Sequence, residues 1–530
     1  MTQLPVVADP PPDHFNIARY CLAAPATAHP EKTALIIAGD DGETRRWSYG
    51  ELELMVRRLA GGLGRLGLPP GARLMIRMDN GLPYILTFFA AFAAGLVPLP
   101  SSAALTGEEA EFLLADSDAA AIALADHLAL AHAAPAGVSV ITAEAIERMA
   151  ASGEPAAYAD TLANDPAFLI YTSGTVGRPK GVLHGHRTAW GRRPMYQGWY
   201  GITVDDVVLH AGAFNWTYTL GVGLLDPWAN GATAVLYNGL ADPTVWPRLI
   251  ERFGVTIFAT VPSLYRRILK YGRFGRESLA TLRHGLTAGE ALPAAVLEQW
   301  RDATGTLLYE ALGMSEISTY ISSCPGMPIR PGSPGKPQAG RRIAILAADE
   351  DVPRKLPTGE VGLLAVHRAD PGLMLGYWQR PEEDALVYRG EWFCGGDLAH
   401  LDADGYVWFH GRHDDILNPM GYRLSPLEIE GVLARHPMVH EVAVSELTVG
   451  AGTGAGVKIL AAFVVPQGEA DGQRLLAWAA EHLASYKLPR QVVFVDHLPR
   501  TRTGKLLRRE LPQRLGEDFE GGTALGSTGA

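Results

Sequence analysis

Three aliphatic hydroxyls, three glycines and a lysine fall within Tyr171-Thr-Ser-Gly-Thr-Val-Gly-Arg-Pro-Lys-Gly181. Gly174, Gly177 and Gly181 let the backbone turn several N–H groups into one concavity, and Thr172, Ser173 and Thr175 add hydroxyl donors. Lys180 supplies compensating charge. This chemistry suits a polyphosphate, so a nucleoside triphosphate is the expected ligand. The spacing is not G-x-x-x-x-G-K-[ST], which makes the usual nucleotide-switch loop a poor match and calls for a different ATP chemistry. His184 and His186 follow closely and read as structural.

The apolar run Phe168–Tyr171 predicts a strand, so the hydroxyl-rich loop sits at a strand end, where α/β folds commonly bind ligands. Upstream, Ser48 and Glu51 form a capping box ahead of Leu52, Met55, Val56, Leu59, Leu63 and Leu66 at helical spacing. Thr106 and Glu109 repeat the pattern. Leu74–Ile76 and Ala121–Ala125 read as strands, and Ile85–Val97 as a buried helix ending near Gly95. The order favours an α/β sheet with helices on its faces. Beyond Gly411-Arg-His-Asp-Asp415 the pattern changes to a helix at Pro426–Arg435, strands near Val442–Val444 and Ile459–Val465, and a helix at Gln473–Ser485. This predicts a compact second α+β domain, with a flexible loop at Gly450–Gly456 and a disordered tail from Gly516.

The chain has 530 residues, more than one core usually organises, with a net charge of -11. That balance argues against a general nucleic-acid binder, which needs a basic surface. Cys21, Cys324 and Cys394 are far apart and indicate neither a disulfide framework nor a zinc site. The opening residues are too short and proline-rich for a signal peptide, and Ile85–Val97 is too short for a membrane span. A cytoplasmic location is the expectation.

With further motifs, the chain resembles the adenylate-forming (AMP-binding) superfamily, in its acyl-CoA synthetase and aryl-CoA ligase branch. The 171–181 loop is similar to the family's phosphate loop, with Val176 where a second hydroxyl is usual. Thr287-Ala-Gly-Glu290 resembles the adenine-side segment, and Leu312-Gly-Met-Ser-Glu316 the family's Tyr-Gly-x-Thr-Glu motif, with Leu312 in place of the aromatic. Gly395-Gly-Asp397 resembles the ribose-binding motif, Gly411–Arg423 the hinge and the loop after it, and Pro499-Arg-Thr-Arg-Thr-Gly-Lys505 the catalytic-lysine loop.

The resemblance implies an adenylate-forming enzyme fold: a large N-terminal multi-subdomain α/β domain over 1–413 and a small mobile C-terminal α+β domain over 414–530. It assigns catalysis to Lys505, Thr172 and Lys180. ATP and AMP would be held by Thr172, Ser173, Gly174, Thr175, Gly177, Lys180, Gly289, Glu290, Ala291, Gly313, Met314, Ser315, Asp397, Arg412 and Lys505. Glu316 would hold Mg2+, Asp414 would be the pivot, and Gly421, Tyr422 and Arg423 would meet coenzyme A.

A carboxylate resists thiol attack until it is joined to a better leaving group. The implied reaction makes an acyl adenylate and pyrophosphate from ATP, and the thiol of CoA then displaces AMP. Phe214, Asn215, Trp216 and Tyr218, with Thr287, Ala288 and Met314, are the expected acyl pocket. A neutral Asn215 argues against an α-amino acid, and the aromatics favour an aryl, alicyclic or medium-chain acid. An enzyme loading a carrier protein and a non-catalytic nucleotide-binding protein are the alternatives. The expected partners are a small carboxylic acid, ATP and CoA, with homodimerisation and acylation of Lys505 left open.

Overall fold

The computed structural model describes residues 10–512 and 523–524, except 41, 129, 131, 173–178, 241, 351, 414–416, 418–423, 425, 450–456, 484–486 and 501–505. Local sequence signals set the first elements. The Ser48 and Thr106 hydroxyls accept from the backbone N–H of Glu51 and Glu109, whose carboxylates reach back to the cap N–H groups. These two boxes begin the helices Tyr49–Gly64 and Gly107–Asp116. The first buries Leu52, Val56, Leu59 and Leu63 along one stripe.

The apolar segment after Gly81 forms the expected buried helix. Its helix is Leu82–Ala93, Gly95 turns the chain at φ 71°, and Val97–Pro100 is a strand. The helix therefore ends just before Gly95, as expected, and the apolar residues beyond that glycine belong to a strand. Glycine makes this left-handed break without a Cβ clash, and the apolar run continues across it because helix and strand are both buried.

Nine strands form the largest described sheet, in the spatial order Lys336–Pro337, Ser318–Ser322, Leu307–Met314, His284–Ala288, Ile257–Thr260, Val207–His210, Thr233–Tyr237, Thr33–Ala38 and Thr44–Ser48. The central run from Leu307–Met314 to Thr33–Ala38 is parallel. Helices cover it, as a parallel sheet requires. A second parallel sheet contains Arg73–Arg77, Val97–Pro100, Ala119–Leu124 and Ser139–Thr142.

A smaller sheet pairs Pro166–Thr172 with Lys180–Gly185 as a hairpin and adds Gly376–Tyr377 to its second strand. Another carries Trp392–Leu401 against Val407–Arg412. The C-terminal part is α+β, as expected: the antiparallel pair Val439–Val449 and Val457–Pro466 packs with helices Pro426–Leu433 and Gly472–His482. Thr523–Ala524, within the segment read as a disordered tail, pairs with Gln491–Val492. Free backbone groups on a sheet edge provide the reason. Among the described residues, no helix is long and apolar enough to cross a membrane.

Candidate active site

The hydroxyl-rich segment joins the two strands of the hairpin, with Thr172 directly opposite Lys180. Ser173, Gly174, Thr175, Val176 and Gly177 lie outside the described residues. The hairpin is anchored at its entrance, where the Tyr171 hydroxyl donates to Asp116 Oδ2 at 2.6 Å. The other oxygen of Asp116 accepts from Arg380 at 2.7 Å.

Lys180 Nζ lies 2.5 Å from Glu383 Oε2 and 4.2 Å from the centroid of the Tyr377 ring. The Tyr377 hydroxyl donates to Glu316 Oε1 at 2.7 Å. Burial, followed by the Glu316 charge, pushes the Tyr377 phenol upward, so it remains a donor. Gly376 makes this placement possible: at φ 156°, its missing Cβ would meet Asp384 Oδ2 at 2.6 Å. Asp384 Oδ1 in turn accepts from Tyr377 N at 2.8 Å. Tyr377 and Glu383 were absent from the sequence-based assignment; Gly376-Tyr-Trp378 was the available signal.

The strand Leu307–Met314 ends in the turn carrying Ser315 and Glu316, and Ser318 starts the return strand. Gly313 is required at the bulge, where a Cβ would meet the Ser318 carbonyl oxygen at 2.4 Å. Leu312 and Met314 pack on the apolar cluster that includes Val182, Ile321 and Tyr377. His184 supports the turn from below: its Nε2–H donates to the Ser315 carbonyl at 2.8 Å, and its ring stacks on Phe168 at 4.5 Å. Burial depresses this imidazole to about 3, which keeps it neutral. The structural reading of His184 stands, although its support reaches a proposed site residue. His186 Nδ1 accepts from Ile17 N at 3.2 Å.

Met314 also brings the next segment in. A Cβ on Gly395 would come within 2.4 Å of Met314 Sδ, and Gly396 adopts φ 88° against the Arg412 guanidinium. Asp397 is 5% exposed and faces Arg412 across paired strands, with Oδ1 and Nη1 3.2 Å apart. Thus direct contacts join Lys180, Tyr377 and Glu316, while Met314, two residues before Glu316 at the same strand end, packs on Gly395 next to the Asp397–Arg412 pair.

Thr287 and Ala288 end a central parallel strand and face opposite sides of it. Ala288 joins the cluster containing Trp199, Tyr309 and Ala311, against which Tyr218 packs, whereas Thr287 is fully buried in register with Thr260. The sheet therefore brings Ala288, rather than Thr287, to the Tyr218 face. Gly289 turns at φ 88°, Glu290 accepts from Ser263 Oγ at 3.2 Å, and Ala291 is exposed.

Phe214 is 2% exposed and packs 5.5 Å from Tyr84, so its ring is core. Asn215 and Trp216 are half-buried. The Tyr218 hydroxyl donates to the Thr260 carbonyl at 3.3 Å, with His210 edge-on to its ring at 4.5 Å. Asp414, Gly421, Tyr422, Arg423 and Lys505 lie outside the described residues.

Glu316 offers oxygen donors suited to a hard cation, and no described residue bonds its Oε2. Magnesium commonly uses one or two carboxylates together with substrate phosphates. The donor set therefore fits that ion.

Sequence comparison finds the AMP-binding enzyme family over residues 22–378 and the AMP-binding enzyme C-terminal domain over 428–505. The benzoate–CoA ligase of Thauera aromatica is 33% identical, over 90% of this chain and 93% of its own. Human acyl-coenzyme A synthetase ACSM3, mitochondrial, is 29% identical, over 95% of this chain and 90% of its own. The crystal structure of a benzoate CoA ligase from Burkholderia xenovorans LB400 superposes with TM-score 0.83 at 30% identity, covering 94% of this chain and all, 100%, of that one. The match extends across both parts of the sequence, and the chain belongs to the AMP-binding enzymes, the adenylate-forming superfamily.

Proposed function

We propose that this protein is an ATP-dependent acid–CoA ligase acting on an aryl, alicyclic or medium-chain carboxylic acid. The observation that carries the proposal is that the Lys180–Tyr377–Glu316 contacts and the Asp397–Arg412 pair meet at the two ends of one turn, Met314 to Glu316. It joins a phosphate-binding cation, a metal-binding carboxylate and a ribose acceptor from segments far apart in sequence. The benzoate–CoA ligases support an aryl acid, and the acyl-coenzyme A synthetase supports acyl–CoA formation more broadly.

In the first half-reaction, a carboxylate oxygen attacks the α-phosphorus of ATP; a new C–O–P linkage forms and pyrophosphate leaves. Asp397, oriented by Arg412, accepts the ribose hydroxyls, since a carboxylate takes two donors at once. Lys180 and the loop N–H groups hold the outer phosphates, and Lys505 supplies positive charge at the reacting phosphate. Magnesium, when bound at Glu316, supplies further charge neutralisation. Ala288 and Tyr218 form the acid-facing wall with Asn215 and Trp216; Asn215 provides no charge for a substrate ammonium.

In the second half-reaction, the CoA sulfur attacks the acyl carbon, a thioester forms and AMP leaves with the bonding pair. The part beyond 413 turns about Asp414, withdrawing Lys505 and bringing Gly421, Tyr422 and Arg423 to CoA. Acylation of Lys505 would remove its charge and silence the first step. We place this chemistry in the cytoplasm as part of the same proposal.

Incubating the protein with ATP, Mg2+, CoA and a panel of acids tests the proposal. The expected products are AMP, pyrophosphate and an acyl-CoA detected by mass. AMP and pyrophosphate formed with a carrier protein but not with CoA would favour carrier loading instead. Absence of acid-dependent turnover across the panel would overturn ligation of these acids.

A further inference from the structure

We infer that Tyr377 is a positioning residue that couples the lysine of the hydroxyl-rich loop to the carboxylate of the Ser315–Glu316 turn. This inference rests on the proposed nucleotide site and deepens it. One side chain performs both tasks: its hydroxyl donates to Glu316 Oε1 at 2.7 Å, while the Lys180 ammonium lies 4.2 Å from its ring centroid.

Backbone pairing sets the residue's position. Tyr377 is in register with Val182 on the strand that begins at Lys180, so its distance from that lysine is built into the sheet. Met374 N donates to the Glu316 carbonyl at 2.7 Å, tying the same segment to the turn through the backbone. Asp384 holds Tyr377 N, and Glu383 closes on Lys180 from the next position. Two charged groups separated by more than a hundred residues are therefore aligned by one short segment.

The chemical consequence differs for the two halves of the tyrosine. Its hydroxyl occupies one oxygen of Glu316 and turns the carboxylate so that Oε2 faces away from that bond, available to a divalent cation. Its ring draws the Lys180 ammonium by its quadrupole, and Glu383 balances the charge. An arriving triphosphate would compete with Glu383 for Lys180, and Glu316, already oriented by the Tyr377 hydroxyl, would hold its metal ion. Tyr377 is also 6% exposed within an apolar cluster, so the experiment must separate positioning from packing.

Tyr377→Phe makes that separation because it keeps the ring and deletes only the hydroxyl. ATP binding is measured by titration calorimetry without acid or CoA, once with Mg2+ and once with EDTA. Loss of a hydrogen bond to a charged acceptor should weaken ATP binding about tenfold in Mg2+ and leave it unchanged in EDTA. In turnover, Tyr377→Phe should raise the Mg2+ concentration for half-maximal adenylation about tenfold and leave KM for the acid unchanged. Tyr377→Leu, which also loses the ring, should weaken ATP binding in EDTA as well.

Thermal melts of each variant identify loss of folding, and Tyr377→Phe is the decisive variant because its volume is conserved. Equal ATP affinity and equal Mg2+ dependence for wild type and a folded Tyr377→Phe would overturn the inference. The calorimetric arms remain informative even if no acid is turned over, so failure of the ligase proposal is read separately.

Discussion

Acidification from pH 7 to pH 5 should lower folding stability by about 5 kcal/mol, because four buried histidines are held neutral. Burial depresses His184 and His210 to about 3, and His186 and His284 to about 4. The reference imidazole titrates near 6.5. Between 6.5 and the folded values, the unfolded chain binds protons that the native protein refuses, so stability falls as pH falls. Glu310 acts in the opposite direction: burial lifts it to about 7, so the native protein holds its proton where the unfolded chain has lost it.

Over this interval each histidine removes about 1.9 kcal/mol, or about 7.5 for all four, and Glu310 returns about 2, giving the net loss of about 5. A loss of that size compares with the whole stability of an ordinary domain. Urea unfolding at pH steps between 7 and 5 measures it directly. The expected slope near pH 5.5 corresponds to about three protons, or about 4 kcal/mol per pH unit. His210→Phe should flatten that slope by about 1.4 kcal/mol per pH unit, the contribution of one proton. Stability that is flat or rising toward pH 5 would refute the assignment of these histidines as buried and neutral.

Other perturbations have distinct signatures. Lys505→Ala should slow adenylation on the order of 10²–10³-fold and affect thioester formation from added acyl adenylate much less; stopped-flow assays of the separate half-reactions check this. Arg192→Met should cost about 3–5 kcal/mol, because it leaves Asp226 buried without the guanidinium that now donates at 2.7 and 2.6 Å. Thermal and urea unfolding read that loss. Gly313→Ala should destabilise by about 1–3 kcal/mol, since its Cβ would press on a backbone oxygen rather than a flexible side chain. Its equilibrium unfolding curve tests the effect.

Local chemistry was legible in the sequence where the interaction itself is local. The Ser48–Glu51 and Thr106–Glu109 boxes declared their helices because each closes within four residues. The strand ending at the hydroxyl-rich loop was likewise legible from Phe168–Tyr171, whereas its return partner Lys180–Gly185 was not read. The boundary after Ala93 was legible from Gly95 alone, because the helix and the strand Val97–Pro100 are both apolar and the strand itself gave no separate signal.

Site residues that depend on register were harder to read. Ala288 and Thr287 are neighbours in sequence, but sheet alternation sends them to opposite faces. Tyr377 becomes significant only when its strand pairs beside Lys180 and its hydroxyl reaches Glu316 across the fold. His184 could be read as structural, but its bond to Ser315 joins elements that no local pattern relates.

The central claim is that the acid carboxylate is activated by joining it to the α-phosphate of ATP. Turnover with a carboxylate labelled in both oxygens with 18O, followed by mass spectrometry of the nucleotide, tests that bond directly. The account predicts AMP carrying one labelled oxygen on its phosphate for each acyl-CoA formed. Label in inorganic phosphate with ADP as the nucleotide product, or unlabelled AMP, would contradict it.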